Sequence, residues 1–345
     1  MTTASSQTIL VTGASGFVAS HIISTFLKAG YNVRGTLRSP SAIPSILAAQ
    51  GLDEQSTRLT FSIVPDMSAP HAFDEAVKGV SAIMHTASPF VLSVKDNEAE
   101  LLKPAINGTT GILESAAAHA GPQLSRVVIT GSFACILDLS QGYRSGHVYS
   151  EKEYNPATYR EAAESKDTGF SYCASKALAE QAAWDWMSQH KPQFGLTVLC
   201  PPWIFGPSIN PIRNLDKLNE STEVIWKLIN AKSIPATDFA GFCDVRDVAI
   251  AHLRASETAE AAGQRFIVGN HFDYQTAVDI IRDELPDLRD RIIEGVRGAG
   301  LTEAVYQLDG SKATRVLGIK YTPLNVTMRD TVRQLLDAEK TLGAQ

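Results

Sequence analysis

The stretch Ile9-Leu10-Val11-Thr12-Gly13-Ala14-Ser15-Gly16-Phe17-Val18-Ala19 constrains this chain more than any other, because an apolar strand runs straight into a glycine turn and then a helix. Only a residue without Cβ takes the tight path expected at Gly13, and Gly16 lets the main chain approach a bound group closely. The first amides of a helix have no intrahelical partner and attract anions. The segment therefore predicts a dinucleotide pyrophosphate cradle built from Thr12, Gly13, Ser15, Gly16, Phe17 and Val18. Its spacing is GxxGxxA, with Ala19 where a third glycine stands in the GxGxxG fingerprint. Ser20 to Ala29 reads as a helix closed by Gly30, and Asn32 to Leu37 as a second strand, which completes a βαβ opening.

Short apolar runs then recur at Leu59 to Val64, Ala82 to His85, Arg126 to Thr130 and Leu196 to Cys200. Most are rich in Val and Ile, as parallel strands buried on both faces require. Helical patterns lie between them at His71 to Val77, Lys103 to His119 and Ser171 to Gln189. This alternation predicts an α/β fold, a Rossmann-type doubly wound parallel sheet. After Cys200 the prolines Pro201, Pro202, Pro207 and Pro211 break the pattern, and the chain returns to it between Phe239 and Ala255. The expected division is residues 1–200 and 239–271 for the dinucleotide domain, and 201–238 and 272–345 for a smaller, discontinuous substrate lobe. Late helices are expected at Gln275 to Leu285, Gly310 to Leu317 and Val326 to Leu342.

Charge narrows the partners. Lys and Arg total 31 against 37 Asp and Glu, a formal charge of -6, which gives no general attraction to nucleic acid or acidic membranes. No basic stretch precedes a long apolar segment, and no eighteen apolar residues run together, so the expectation is a cytoplasmic protein with no membrane or nucleic-acid partner; either a monomer or a homodimer is expected. Cys135, Cys173, Cys200 and Cys243 are far apart, and the histidines are scattered, so no metal site is expected.

The chemistry is carried by Tyr172 and Lys176, one helical turn apart in Ser171-Tyr172-Cys173-Ala174-Ser175-Lys176. Of the nine tyrosines, only Tyr172 has a lysine four residues on. An ammonium within reach is expected to lower the phenol pKa and let it exchange a proton with a carbonyl oxygen. Ser132 follows the strand Arg126 to Thr130, at the carboxyl end of the sheet where open α/β folds bind ligands, and its hydroxyl can hydrogen-bond the reacting oxygen. Cys173, next to the phenol, is open to two readings: a thiol whose modification blocks activity, or an inert buried one.

Together the glycine turn, Ser132 and Tyr172-Cys173-Ala174-Ser175-Lys176 resemble the extended short-chain dehydrogenase/reductase family, and within it the dihydroflavonol, cinnamoyl-CoA and yeast-type methylglyoxal and carbonyl reductases. Tyr31 to Arg38, His85-Thr86-Ala87-Ser88-Pro89, Pro104 to Thr109, Gly206-Pro207 and Asp244 to Ala249 match as well. The resemblance implies Tyr172 as general acid, Ser132 as its hydrogen-bonding neighbour, and Lys176 as pKa modifier and holder of the nicotinamide ribose. It places Asp66 and Met67 at adenine, Ala87 on a loop passing the cofactor, and Pro201 at the nicotinamide end; Asn107 receives no catalytic role.

An NAD site would show an acid about 20 positions after the glycines. This chain has Arg38 there, with Arg34 four residues earlier, and a guanidinium at that place can pair with a 2′-phosphate, so NADPH/NADP is the expected cofactor. The expected substrate is a small carbonyl compound, apolar or aromatic, with Phe90, Phe133 and Trp203 as candidate pocket walls. The expected reaction is NADPH-dependent reduction of a ketone or aldehyde to an alcohol. Two alternatives stay open: a nucleotide-sugar epimerase or dehydratase, which shares the fold, and a binding protein that senses NADP without turnover.

Overall fold

The computed structural model describes residues 6–88, 94–302 and 305–343. Its strands are β1 (Thr8–Val11), β2 (Asn32–Leu37), β3 (Leu59–Ile63), β4 (Ala82–His85), β5 (Arg126–Thr130), β6 (Val148–Tyr149), β7 (Gly195–Cys200), β8 (Trp203–Phe205), β9 (Gly241–Asp244), β10 (Gln264–Ile267), β11 (Asn270–His271) and β12 (Gln307–Leu308). The α-helices are α1 (Phe17–Lys28), α2 (Ile43–Ala49), α3 (Lys103–His119), α4 (Tyr159–Glu164), α5 (Thr168–His190), α6 (Glu220–Trp226), α7 (Val245–Glu257), α8 (Tyr274–Glu284), α9 (Ser311–Leu317) and α10 (Leu324–Gly343).

Seven strands form one parallel sheet in the order β10-β7-β5-β4-β1-β2-β3. Successive side chains of a strand point to opposite faces, and both faces here are covered. Ile9 and Val11 join one core with Ile22, Phe26 and Val248, whereas Leu10 joins the other with Ile112, Leu113 and Trp186. The two cores are the helix layers of a doubly wound Rossmann-like fold.

A third core gathers Phe205, Ile225, Phe272, Val278, Met328 and Leu335 from segments beyond β7. Beside it lies a small sheet in the order β11-β9-β8. A charged clasp links the start of α7 to α10: Arg246 pairs with Asp244 at 2.7 Å and Asp330 at 2.9 Å, and Thr327 Oγ1 donates to Asp244 at 2.8 Å. Tyr306, Ala313, Leu317 and Ile319 fall within the range expected for the lobe, yet they pack in the two cores of the main sheet.

The helix expected over His71 to Val77 is a run of turns instead. Pro70 precedes it and His71 adopts φ 63°, so the segment bends before an α-helical ladder can start. Phe73 and Val77 still reach the core, which is the periodicity that suggested a helix. Among the described residues no helix is long and apolar enough to cross a membrane.

Candidate active site

In the sheet, β1 separates the half that builds outward through β2 and β3 from the half that begins at β4. Ligands of open α/β sheets sit beyond the carboxyl ends at such a switch point. Here those ends lead into Thr12-Gly13 and Thr86-Ala87-Ser88. Thr12 Oγ1 accepts from the amides of Thr86 and Ala87, both at 3.0 Å, and so donates its own proton to Nδ1 of buried His85 at 3.1 Å. Burial pulls the His85 pKa down to about 3, which keeps the ring neutral and able to accept there.

Gly13 has φ 70°, its amide donates to Thr36 Oγ1 at 3.0 Å, and a Cβ would lie 3.3 Å from Ala87. Gly16 caps α1 without a side-chain hydrogen bond, and the first turn holds no acidic residue, so the positive end of a twelve-residue helix faces the cleft. Ser15 is exposed, and its carbonyl accepts from Asn210 Nδ2 at 3.1 Å. This cradle fits the phosphates of a dinucleotide. Arg38 stands exposed just past β2 with no hydrogen bond or ion pair to a described residue. Arg34 is committed elsewhere, donating to the carbonyls of Ala76 at 2.8 Å and Lys78 at 2.7 Å, so Arg38 alone of the two remains for a phosphate. Asp66 and Met67 lie beyond β3 and outside the cleft lining. Hydrogen bonds from Ser68 hold the Asp66 carboxyl below its usual range, and Met67 packs against Gly108 of α3.

From the glycine turn the cleft, about 530 Å³, runs past Thr86, Ser88 and Ser132 to Tyr172 and Lys176. Asp167 caps α5 by accepting from the amides of Gly169 and Phe170, which starts the helix just before Tyr172. Ser132 extends from the end of β5, accepts from the Ala134 amide at 3.1 Å, and hydrogen-bonds the Tyr172 phenol. Lys176 Nζ donates to Ser88 Oγ at 2.6 Å and lies 5.7 Å from the Tyr172 ring centroid. The structure thus brings Ser132, Tyr172 and Lys176 together and adds Ser88, which no spacing in the sequence singles out.

The expected direction of the Tyr172 shift is overturned. Burial disfavours the phenolate and pushes the phenol well above its usual range, while the Ser132 hydrogen bond opposes this. Burial also pulls the Lys176 ammonium down to about 8. Tyr172 is thus held as a neutral acid, the form that can give up a proton. Cys173 is buried and pushed up to about 12, which favours the inert reading of that thiol.

Of the pocket walls, Trp203 lines the cleft, stands edge-on to Phe239 and donates Nε1 to Asp238 at 3.1 Å. Phe133 does not: it is fully buried in an aromatic cluster with Tyr149 and Tyr306, because its residue begins a short turn that dives into the sheet core. Phe90 lies outside the described residues. Pro201 is buried at the cleft, where its carbonyl accepts from the Phe133 amide at 2.9 Å. Asn107 is exposed on α3 and does not line the cleft. The wall contributed by Asn219, Glu220 and Ser221 was missed. Asn219 caps α6 through the Thr222 amide, a signal present in the sequence as Asn followed by Glu-Ser-Thr-Glu.

Comparison with known proteins agrees with this geometry. The pattern of the NAD dependent epimerase/dehydratase family matches residues 9–269. The chain is 36% identical to the NADPH-dependent methylglyoxal reductase GRE2 of Saccharomyces cerevisiae, over 96% of this chain and 99% of that protein. It is 36% identical to the ketoreductase azaE of Aspergillus niger, over 95% and 97%. The crystal structure of the yeast methylglyoxal/isovaleraldehyde reductase Gre2 complexed with NADPH superposes with a TM-score of 0.89 at 34% identity, covering 97% of this chain and 99% of that one. The chain belongs to the NAD dependent epimerase/dehydratase family, the extended short-chain dehydrogenase/reductases.

Proposed function

We propose that this protein is an NADPH-dependent carbonyl reductase that converts a small ketone or aldehyde into its alcohol. The observation that carries this reading is the single cleft in which Tyr172, Ser132 and Lys176 face the anion-attracting start of α1. The names of the yeast and Aspergillus relatives support it. In this reading Gly13, Gly16 and the first amides of α1 hold the pyrophosphate, Arg38 the 2′-phosphate, and Asp66 and Met67 the adenine end. When bound, the reduced nicotinamide supplies a hydride to the carbonyl carbon. The Tyr172 hydroxyl gives its proton to the carbonyl oxygen, Ser132 hydrogen-bonds that oxygen, and the Lys176 ammonium steadies the phenolate until solvent returns the proton.

The two sheet-face cores with the third core beyond β7 support a dinucleotide domain and a substrate lobe, amended so that residues 306–319 go with the former. A dehydratase reading lacks an acid beside Ser132, whose neighbours are Gly131, Phe133 and Ala134. The four buried, unpaired thiols support a reducing, cytoplasmic location. The test is loss of NADPH absorbance with a panel of ketones and aldehydes. Tyr172→Phe should lower turnover by about 10²–10⁴-fold while NADPH still binds; near-normal turnover in that variant rejects the acid assignment.

A further inference from the structure

Most of the cleft wall around Tyr172 is apolar, with Val18, Pro202, Trp203, Ile204 and Phe239. Two acidic side chains interrupt it, and they differ in what they already hold. Asp238 accepts from Trp203 Nε1 at 3.1 Å, from the Tyr274 hydroxyl at 3.1 Å and from the Phe239 amide at 2.6 Å. Glu220, the first residue of α6, is half-buried in the same wall and has no hydrogen bond or ion pair with a described residue. The nearby cation acts on it only through space, because the Lys227 ammonium is paired with Glu223 at 2.5 Å. Its charge is nevertheless felt at the Tyr172 phenol, which puts both groups in one electrostatic space. Burial pushes the Glu220 carboxyl above its usual range, as expected of an acid facing an apolar cleft.

A partly desolvated acceptor without a donor rewards any ligand that brings one. Ionised or protonated, the carboxyl keeps oxygen lone pairs that accept. Resting on the carbonyl-reductase reading, we infer that Glu220 is a specificity-determining residue. It selects carbonyl compounds that carry a hydrogen-bond donor, a hydroxyl or an ammonium, some distance from the reacting carbon, and disfavours those with an anionic tail. The apolar walls hold the carbons between the two ends. A substrate of this kind is anchored at its carbonyl by Ser132 and Tyr172 and at its far end by Glu220. An acid in the first turn of a helix also complements the helix dipole, and that role is blind to substrate. Selectivity is therefore the quantity to measure.

The experiment is steady-state kinetics with NADPH on a ladder of methyl ketones ending in a primary hydroxyl, each matched to the isostere in which a methyl group replaces that hydroxyl. The expected result is a preference for the hydroxylated member at one chain length, about tenfold in kcat/KM and expressed mainly in KM. Glu220→Leu should erase or invert the preference, Glu220→Gln should retain part of it, and Glu223→Gln should leave it in place. Equal use of both members at every chain length overturns the inference while leaving the reductase reading intact, as does a preference that survives Glu220→Leu. Should Glu220→Leu fail to fold, an undiminished preference in Glu220→Gln with a preference lost in Glu223→Gln has the same meaning. NADPH binding without oxidation by any member of the ladder removes the reductase reading and this inference together.

Discussion

At the scale of single residues, the proposed reaction divides the site into groups assigned to the cofactor and groups assigned to the proton. Arg38 has no partner among the described residues, whereas Arg34 is tied to two carbonyls. Arg38→Ala should therefore weaken NADPH binding by roughly 10–100-fold, the loss of a charge-assisted pair, and leave NADH within about twofold. Titration of both dinucleotides by fluorescence measures this, and equal losses for both refute the phosphate contact. Under the proposed function, Lys176 is expected to set the pH response. Its depressed pKa of about 8 means that the ammonium is present below that pH and lost above it. With Tyr172 pushed high, kcat/KM for reduction should fall as pH rises through about 8, and a profile flat across that range counts against the lysine's role. That Ser132, Tyr172 and Lys176 share one cleft was legible in the sequence because their spacing fixes them to one helix face and one strand end. Their proton affinities were not, since the sequence displays the neighbouring ammonium but not the depth of burial, which decides the sign at Tyr172.

Among the elements, the joint between β1 and β4 bears on the cradle most directly. A single hydroxyl, that of Thr12, satisfies two amides and one imidazole at 3.0–3.1 Å. Thr12→Val strands the buried imidazole and two part-buried amides and should cost ~1–3 kcal/mol in urea unfolding, with weaker NADPH binding, while Thr12→Ser recovers much of both. If Thr12→Val unfolds at the wild-type midpoint, the hydroxyl is not holding the joint. Parallel strands proved the easiest elements to read: β2, β4 and β5 fall where their apolar runs place them, as does α3. Strands buried on both faces read as short, largely apolar runs bounded by turn residues, and their shortness separates them from helices. The segment 71–77 misled because the apolar spacing of a turn run can imitate that of a helix, and a positive φ at His71 leaves no mark in composition. Elements beyond Cys200 were harder still, because β8, β9 and β11 are only two to four residues long and draw their stability from one another.

For the whole molecule, α5 ties the reaction to the frame. One turn beyond Lys176, buried Glu180 accepts a bidentate contact from Arg265 of β10, with Nε and Nη2 both at 2.8 Å, while Arg265 Nη1 donates to Glu153 O at 2.6 Å. Glu180→Ala abandons a buried guanidinium and should destabilise the fold by about 3–5 kcal/mol, seen as a lower midpoint in thermal or urea unfolding. A change below about 1 kcal/mol would mean that Arg265 is solvated despite its burial. No sequence spacing announces this pair, since eighty-five positions separate its members. The four thiols offer a different kind of access to the same frame. Cys200 sits in the core on one side of the main sheet and Cys243 in the core on the other. An alkylating reagent can reach a sealed sulfur only while its surroundings are parted, so each side chain acts as a built-in clock for its own layer. Matching reaction rates at the two sulfurs would describe a body that opens all at once, and unequal rates one that opens leaf by leaf.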